Sequence, residues 1–496
     1  MAATCEAPDT TWAPALYRQG AKPEETILYD VVRRNLETYL AQREADPDAE
    51  PVPGYVERTL RAYLKCGLPQ WGVALVVCES KTCNHSFSIP FSCSCRGPCP
   101  RCSARSQART AAHLVDHVLP RVPIRHWTFS FPKRVRYFLE RDHDAASGVL
   151  RVCLRAVETL LRKRSPGAPK GARYGAVVNE HRAAKALTPD FHFHAQVTDG
   201  VFAADPEREG EARFFEAVDL TDEDVAALEQ TIRCRVLRFL GRHGYLDHAA
   251  VEDMLGWEHS GFSLNAGNRV EAWDRFGLER LAQYAAKPGF ALGRLERADP
   301  DTLIYRLPRP AHDGSTFVTM TPMELIHRLT RLIPPPHKNT IRFCGVLSGA
   351  AKLRKAVVAS AGPAAAMQLQ LEEAARKMGL EQEHDTAGEE GHSAVAVEVG
   401  DETADPEPPK PKRRLSAYLW AMLIARVLGA LPLLCPVCSS PMRVKSVVTD
   451  RDEVRRILEH LGQPTEPPRT EPARGPPQGD FEMDQTVGLP EDDVWS

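Results

Sequence analysis

The sequence predicts an α+β chain with a cysteine-rich module toward its N-terminal side. Two observations carry this. Helical stretches with apolar residues three and four apart interleave with short runs of alternating, aromatic-rich residues. Six of the 13 cysteines fall between Cys78 and Cys102. The composition, 43% apolar and 26% charged, is that of a globular protein. At 496 residues the chain has room for about three domains.

In chain order, ILYDVVRRNLETYLAQRE has helical spacing. Residues 51–65 continue as helix, with Tyr55, Leu60, Tyr63 and Leu64 inward, so residues 1–65 read as a helical lead-in. The cysteine block spans Cys66 to Cys102 within a module over 66–110. It runs into SARSQARTAAHLVDHVLP, a helix ended by Pro120. Residues 111–345 carry the main α+β domain. HWTFSF (126–131), YGAVVNEHRA (174–183), DFHFHAQVTDGVFA (190–203) and GFSLNAGNRV (261–270) read as strands. Helices are expected over 145–164, over 221–244 with Thr221 as N-cap, and over 274–286, stopped at Lys287-Pro288-Gly289. TLIYRLPRP and STFVTMTP form a hairpin around His312-Asp313-Gly314, and MELIHRLTRLIPPP is a short helix. Residues 371–410 read as a disordered acidic linker, 411–462 as a C-terminal helical segment with a CxxC pair, and 463–496 as a disordered tail.

The net charge of −3 conceals an asymmetry. Residues 1–50, 371–410 and 463–496 carry −5, −9 and −6, which leaves +17 on the rest. A basic body suits a polyanionic partner. No apolar run reaches the length of a membrane span, and MAATCEAPDTTW lacks the pattern of a secretory signal. A reducing compartment follows as the expectation, so the cysteines are read as metal ligands rather than disulfides.

Zinc takes four soft ligands in a tetrahedron, and short turns bring cysteine pairs together. Cys99-Pro-Arg-Cys102 is one pair and Cys78/Cys83 a wider one. These four are the first choice for a single structural zinc site, with Cys93, Cys95, Cys66 and His85 as competitors. Arg96, Arg101 and Arg105 are candidate phosphate contacts. Cys435 and Cys438 form a second CxxC, either metal-free or part of a shared or incomplete site.

In Phe191-His192-Phe193-His194-Ala195, strand alternation puts His192 and His194 on one face and the apolar residues on the other. Two such imidazoles can share a metal whose remaining positions stay open. His181 is the first choice as third ligand, Glu180 the runner-up and Asp199 a further option. Tyr284 lies near the end of its helix with Lys287 on the same side, a phenol beside an ammonium.

SCSCRGPCPRCSAR, AAHLVDHVLPRVPIRHWTFSFP, DFHFHAQVTDGVF, LERLAQYAAKP, YRLPRPAHDGSTFVTMTPMELIHRLTRLIPPP and LLCPVCSSPMRV follow one another. In that order they resemble the HUH-type rolling-circle transposases of the insertion-sequence ninety-one family, single-tyrosine branch, over roughly residues 50–360 and 415–462. The resemblance implies an HUH nuclease fold over 111–345, a central antiparallel sheet with packed helices, behind a zinc-binding module that recognises the element's end. It implies that His192 and His194 hold catalytic Mg²⁺ or Mn²⁺ and that Tyr284 is the nucleophile. It further implies nicking and joining of single-stranded or hairpin DNA through a 5′-phosphotyrosine, in the bacterial cytoplasm at the nucleoid.

The sequence departs from its relatives in three places. Arg280 stands where some carry a second tyrosine, His181 stands at a position commonly Gln, and Cys78/Cys83 is wider than CxxC. The competing readings are a zinc-dependent DNA-binding protein without nuclease activity and a metal-dependent hydrolase that uses water in place of Tyr284.

Overall fold

The computed structural model describes residues 22–362, except 96, 184, 185 and 312, and residues 435–475. The N-terminal part opens with α1 (Ile27–Ala45), whose Thr26 cap accepts the Tyr29 N–H at 3.2 Å. Next comes α2 (Gly54–Tyr63). Strands β1 (Val73–Cys78) and β2 (Ser86–Pro90) pair antiparallel. The helix α3 (Pro100–His117) starts with Cys99 as N-cap and proline in its first turn, where no N–H partner is lost.

The larger part of the chain follows. Its first half holds β3 (Ile124–Ser130), α4 (Lys133–Arg141), α5 (His143–Arg164), β4 (Gly175–Ala183), β5 (Pro189–Thr198), β6 (Gly200–Ala204) and β7 (Ala212–Glu216). Its second half adds α6 (Asp222–Arg242), α7 (His248–Gly256), β8 (Ser263–Val270) and α8 (Arg275–Ala285). Thr221 and Asp224 form a reciprocal capping box at the start of α6, as a Thr followed three residues later by an acid can. The chain then makes β9 (Leu295–Arg297), β10 (Leu303–Arg306), β11 (Phe317–Met320), α9 (Pro322–Thr330), β12 (Ile341–Gly345) and α10 (Arg354–Val358). After the undescribed stretch come β13 (Met442–Val448) and α11 (Arg451–His460).

The fold is α+β around a five-stranded antiparallel sheet of order β12-β4-β5-β3-β8. Alternation decides its two faces. Trp127, Phe129, Phe191, Phe193 and Ala195 point to one side and bury against α5 and α6 in the largest core. Ile124 and Val177 point to the other, where α3 and α8 supply Ala111, Leu114, Val115, Leu278, Leu281 and Ala282. A third core joins α1 and α2 to β10 and α9 through Leu28, Val32, Leu60, Leu303, Leu325 and Leu329, and takes in Cys66, Cys99 and Cys102.

Arg275 fixes α8 in place. Its guanidinium is buried and donates to the carbonyls of Val115, Leu119, Pro120 and Gly362 at 2.6–3.1 Å. Three of these lie at or just beyond the C-terminal end of α3, where helix carbonyls lack partners and negative potential accumulates.

Several expectations are revised. The strand expected over 190–203 is two strands broken at Asp199. The C-terminal segment expected to be helical contains the strand β13. It pairs antiparallel with β1, so β13-β1-β2 is one sheet built from the two ends of the chain. The apolar helix expected within 411–434 and the linker over 371–410 lie outside the described residues. Where a disordered tail is expected after Gln463, residues 464–474 lie against the N-terminal part: Gln70 donates to the Pro464 carbonyl at 2.8 Å, Arg33 to that of Arg469 at 2.8 Å, and the Arg474 N–H to Thr38 at 3.0 Å.

Candidate metal centre and nucleophile

Register brings three imidazoles together. In the β4–β5 ladder His181 faces His192 and Asn179 faces His194. In the β3–β5 ladder Thr128 faces His194 and His126 faces Gln196. One nitrogen from each of His181, His192 and His194 lies within 4.8 Å of the others, a spacing that lets one ion touch all three. Each ring also has one nitrogen within hydrogen-bond reach of a partner. His181 Nε2 donates to the Ala285 carbonyl at 2.7 Å, and His192 Nδ1 to the Asp190 carbonyl at 2.9 Å. His194 Nδ1 meets His126 Nε2 at 2.9 Å, with Thr128 Oγ1 at 3.4 Å. Such outer partners fix the tautomer and turn the remaining lone pair inward. Burial pushes the His181 and His126 imidazoles down to about 4 and His194 to about 2. The rings are therefore neutral near pH 7, the form that ligates metal.

The carboxylates considered as ligands are committed elsewhere. Glu180 shares the opposite sheet face with Phe193 and pairs with Arg182, Lys338 and Arg342 at 3.0–3.3 Å. Asp199 is buried between Arg125 and Arg269 at 2.7–2.8 Å. His181, not a carboxylate, is the residue that the structure groups with His192 and His194. The buried amides of Asn179 and Gln196 on the same face each have side-chain atoms without a hydrogen-bond partner among the described residues. These unmatched donors and acceptors fit a site that receives hydrated ion or phosphate oxygens.

Tyr284 reaches this cluster from the last turn of α8. Its ring stands edge-on to His194 at 5.7 Å and to His126 at 5.8 Å, and is 55% exposed. Two helices hold it there. Gln107 of α3 donates to the Gln283 carbonyl at 2.7 Å, one residue before the phenol, and Arg275 anchors the other end of α8. Lys287 follows the helix, and its N–H donates to the Tyr284 carbonyl at 3.2 Å. Its exposed ammonium is held below the ordinary lysine range by partial desolvation and then by Arg294. His126 had no assigned role in the sequence reading. Its signal was available: it occupies an inward position of a strand beside the HFH strand. Register with His194 could not be read from one sequence.

The cysteines form two clusters rather than the single expected site. Cys78 and Cys83 do not meet Cys99 and Cys102. Cys66, Cys93, Cys99 and Cys102 gather in one group, with sulfur separations of 3.5–3.7 Å among the contacting pairs. Cys78 and Cys83 gather with Cys435 and Cys438. The reason is topological. Residues 78 and 83 flank the β1–β2 turn, whereas 99 and 102 begin α3, and between them the chain crosses the sheet. Cys95 stays out of both groups and donates to the Cys93 carbonyl at 3.4 Å. In the first cluster, the Cys93 N–H points at Cys66 sulfur (3.3 Å) and the Cys102 N–H at Cys99 sulfur (3.5 Å), while the crowding of the sulfurs, Cys102 first, pushes the Cys66 and Cys99 thiols up. Hydrogen bonds from Cys66, Cys93 and Cys99 hold the Cys102 thiol far below its usual range. Arg101 is half-buried beside this cluster. Arg105 donates to Ser92 at 2.9 Å, and Arg96 lies outside the described residues.

No helix among the described residues is long and apolar enough to cross a membrane. Comparison with known proteins gave two family matches and no match among curated proteins or solved structures. Residues 31–131, which contain the whole first cysteine cluster, match the family model described as "Transposase zinc-binding domain". Residues 175–355, which contain His181, His192, His194 and Tyr284, match the one described as "Putative transposase". The zinc-binding match and the transposase match follow one another in the expected order, and over these two stretches the chain is similar to transposases.

Proposed function

We propose that this protein is a transposase that nicks and rejoins single-stranded DNA through a covalent bond to Tyr284, the chemistry of an HUH nuclease. The observation that carries the reading is the edge-on approach of the Tyr284 ring to His194 and His126, beside three imidazoles with converging free nitrogens. A phosphate lying between them meets a phenol on one side and the histidine nitrogens on the other.

His181, His192 and His194 would hold Mg²⁺ or Mn²⁺. That ion would draw charge from a nonbridging phosphate oxygen and so ease attack on an anionic centre. The remaining steps belong to the chain's own groups. Tyr284 Oη loses its proton and forms a bond to phosphorus. The bond from phosphorus to the 3′ oxygen breaks in line, and that oxygen takes up a proton as a 3′-OH. The 5′ end stays on the tyrosine. In the reverse step a 3′-OH attacks phosphorus and the phenol leaves. One phosphate ester replaces another, so joining requires no ATP. Lys287 adds positive charge near the end of the helix.

The path of the strand follows exposed side chains. Phe276, Arg280 and Tyr284 lie along one side of α8 at four-residue spacing, and Trp273, 80% exposed, precedes the helix cap. Aromatic rings beside a guanidinium suit stacking of unpaired bases. Arg101, at the start of α3, and the basic Arg96 would contact phosphates. Arg105, tied to Ser92, would help to hold the cysteine loop as well.

The test is formation of a denaturation-resistant adduct between the full chain and single-stranded DNA containing the element's end, with Mg²⁺ or Mn²⁺. Tyr284→Phe is expected to abolish the adduct and retain DNA binding. An equal yield of adduct from the variant would overturn the assignment, and cleavage without any adduct would point to water as nucleophile.

A further inference from the structure

The second cysteine cluster lies half outside both family matches, since Cys435 and Cys438 follow residue 355. We propose that Cys78, Cys83, Cys435 and Cys438 bind a second structural Zn²⁺, which clasps the C-terminal strand and helix onto the N-terminal module as a zinc ribbon assembled from the two ends of the chain. The proposal does not depend on how the enzyme cuts DNA.

Geometry supports it first. Cys78 and Cys438 sulfurs are 3.4 Å apart, Cys83 and Cys435 sulfurs 3.7 Å, and all four lie within 4.8 Å of one another. Zinc bonded to four sulfurs at about 2.3 Å requires sulfur–sulfur edges of about 3.8 Å. A disulfide would need about 2.05 Å and would join two cysteines, not four.

The backbone supplies a second argument. Each pair sits in a tight turn closed by its own hydrogen bonds. The Cys78 N–H donates to the His85 carbonyl at 2.9 Å and the Cys83 N–H to Ser80 at 3.2 Å. On the other side the Cys435 N–H donates to Ser440 and the Ser439 N–H to Cys435, both at 2.8 Å. Ser439 adopts a left-handed φ of 57°, the conformation that turns the chain back after a CxxC pair. The Glu79 N–H donates to the Pro441 carbonyl at 2.9 Å and ties one turn to the other. From there β13 pairs with β1 from Cys78↔Met442 to Val73↔Val448.

Packing gives the third. The buried apolar groups beneath these turns are few: Val76, Cys435 and Met442 in one small cluster, and Val73, Val448, Val454 and Leu458 in another, with Phe87, Ile89, Leu75 and Ile457 only partly buried against them. A unit this small usually depends on a metal or disulfide. Four protein sulfurs leave no open position, so the site is structural, and thiolates select zinc over magnesium or calcium.

The experiment uses the full chain with His192→Ala and His194→Ala, which removes the histidine site from the count. After dialysis, mass spectrometry of metals is expected to give two zinc ions per chain, and one after Cys435→Ser with Cys438→Ser. Two in both proteins, or one in both, would overturn the proposal. A second measurement guards against misfolding of the serine variant. A protease site is inserted within 371–410 of the otherwise unchanged chain, and the cut protein is gel-filtered with and without a zinc chelator. Co-elution of the C-terminal fragment with zinc and its release by the chelator are expected. Retention in chelator would reject the clasp.

Discussion

Replacing His126 with leucine tests whether a side chain behind His194 tunes the affinity of the proposed metal site. His126 Nε2 lies 2.9 Å from His194 Nδ1, where it would accept the proton of a His194 ring bound to metal through its other nitrogen, and burial keeps the His126 ring neutral by pushing its pKa down to about 4. Leucine keeps an apolar side chain in the sheet but accepts nothing. Loss of such an outer partner typically weakens metal binding 10–100-fold, or about 1.4–2.7 kcal/mol. Thr128 Oγ1, at 3.4 Å from the same nitrogen, stands ready as a poorer acceptor, so the effect should lie near the tenfold end. The assay is a Mn²⁺ titration of the full chain by calorimetry, paired with the Mn²⁺ dependence of adduct formation. His126→Leu should raise the Mn²⁺ concentration for half-maximal rate about tenfold and recover most of its rate at saturation. His126→Gln, which restores an acceptor, should lie between leucine and the parent. Affinity unchanged by leucine, or a rate that excess Mn²⁺ does not restore, would refute a role through the metal.

Arg275→Met should cost about 3–5 kcal/mol in chemical denaturation, because it removes a buried cation that serves four carbonyls; a loss under 1 kcal/mol would mean that α8 is held mainly by its apolar face. Trp273→Ala should weaken binding of single-stranded DNA by about 1–3 kcal/mol and binding of duplex DNA much less, measured by fluorescence anisotropy; an equal loss on both would exclude base stacking. Burial pushes the Asp30 carboxyl up, but hydrogen bonds from Arg34, Arg297 and Arg33 outweigh it and hold the group below its usual 3.8. A depressed carboxylate stabilises above its unfolded pKa and loses that contribution as pH falls through the folded one. Asp30→Asn should therefore lower the melting temperature at pH 7 and have little effect near pH 3; an equal effect at both would refute the ion-pair account.

The parts legible in the sequence were those encoded by local periodicity. DFHFHAQV alternates strictly, and that alone placed His192 and His194 opposite Phe191 and Phe193. Thr221 and Asp224 marked the start of α6, and Lys287-Pro288-Gly289 the end of α8. What stayed hidden depended on pairing between distant segments. β12 and β13 are short strands whose partners lie far back in the chain, and neither alternates clearly enough to stand out. The cysteines failed for the same reason. Spacing paired 78 with 83 and 99 with 102 correctly, but only the fold decides which pairs share a centre. Glu180 and Asp199 looked available as ligands until the arginines facing them were known.

The antiparallel pairing of β1 with β13 has a consequence for synthesis. A ribosome adding about 5–20 residues per second takes roughly 20–70 s to travel from Cys83 to Cys438. Throughout that interval the edge of β1 that β13 will cover waits without its partner. A message broken between the codons of Tyr284 and those of β13 would yield a polypeptide with the histidines and the tyrosine in place but this edge bare. Synthesis of β13 thereby becomes a checkpoint on the assembly of this sheet.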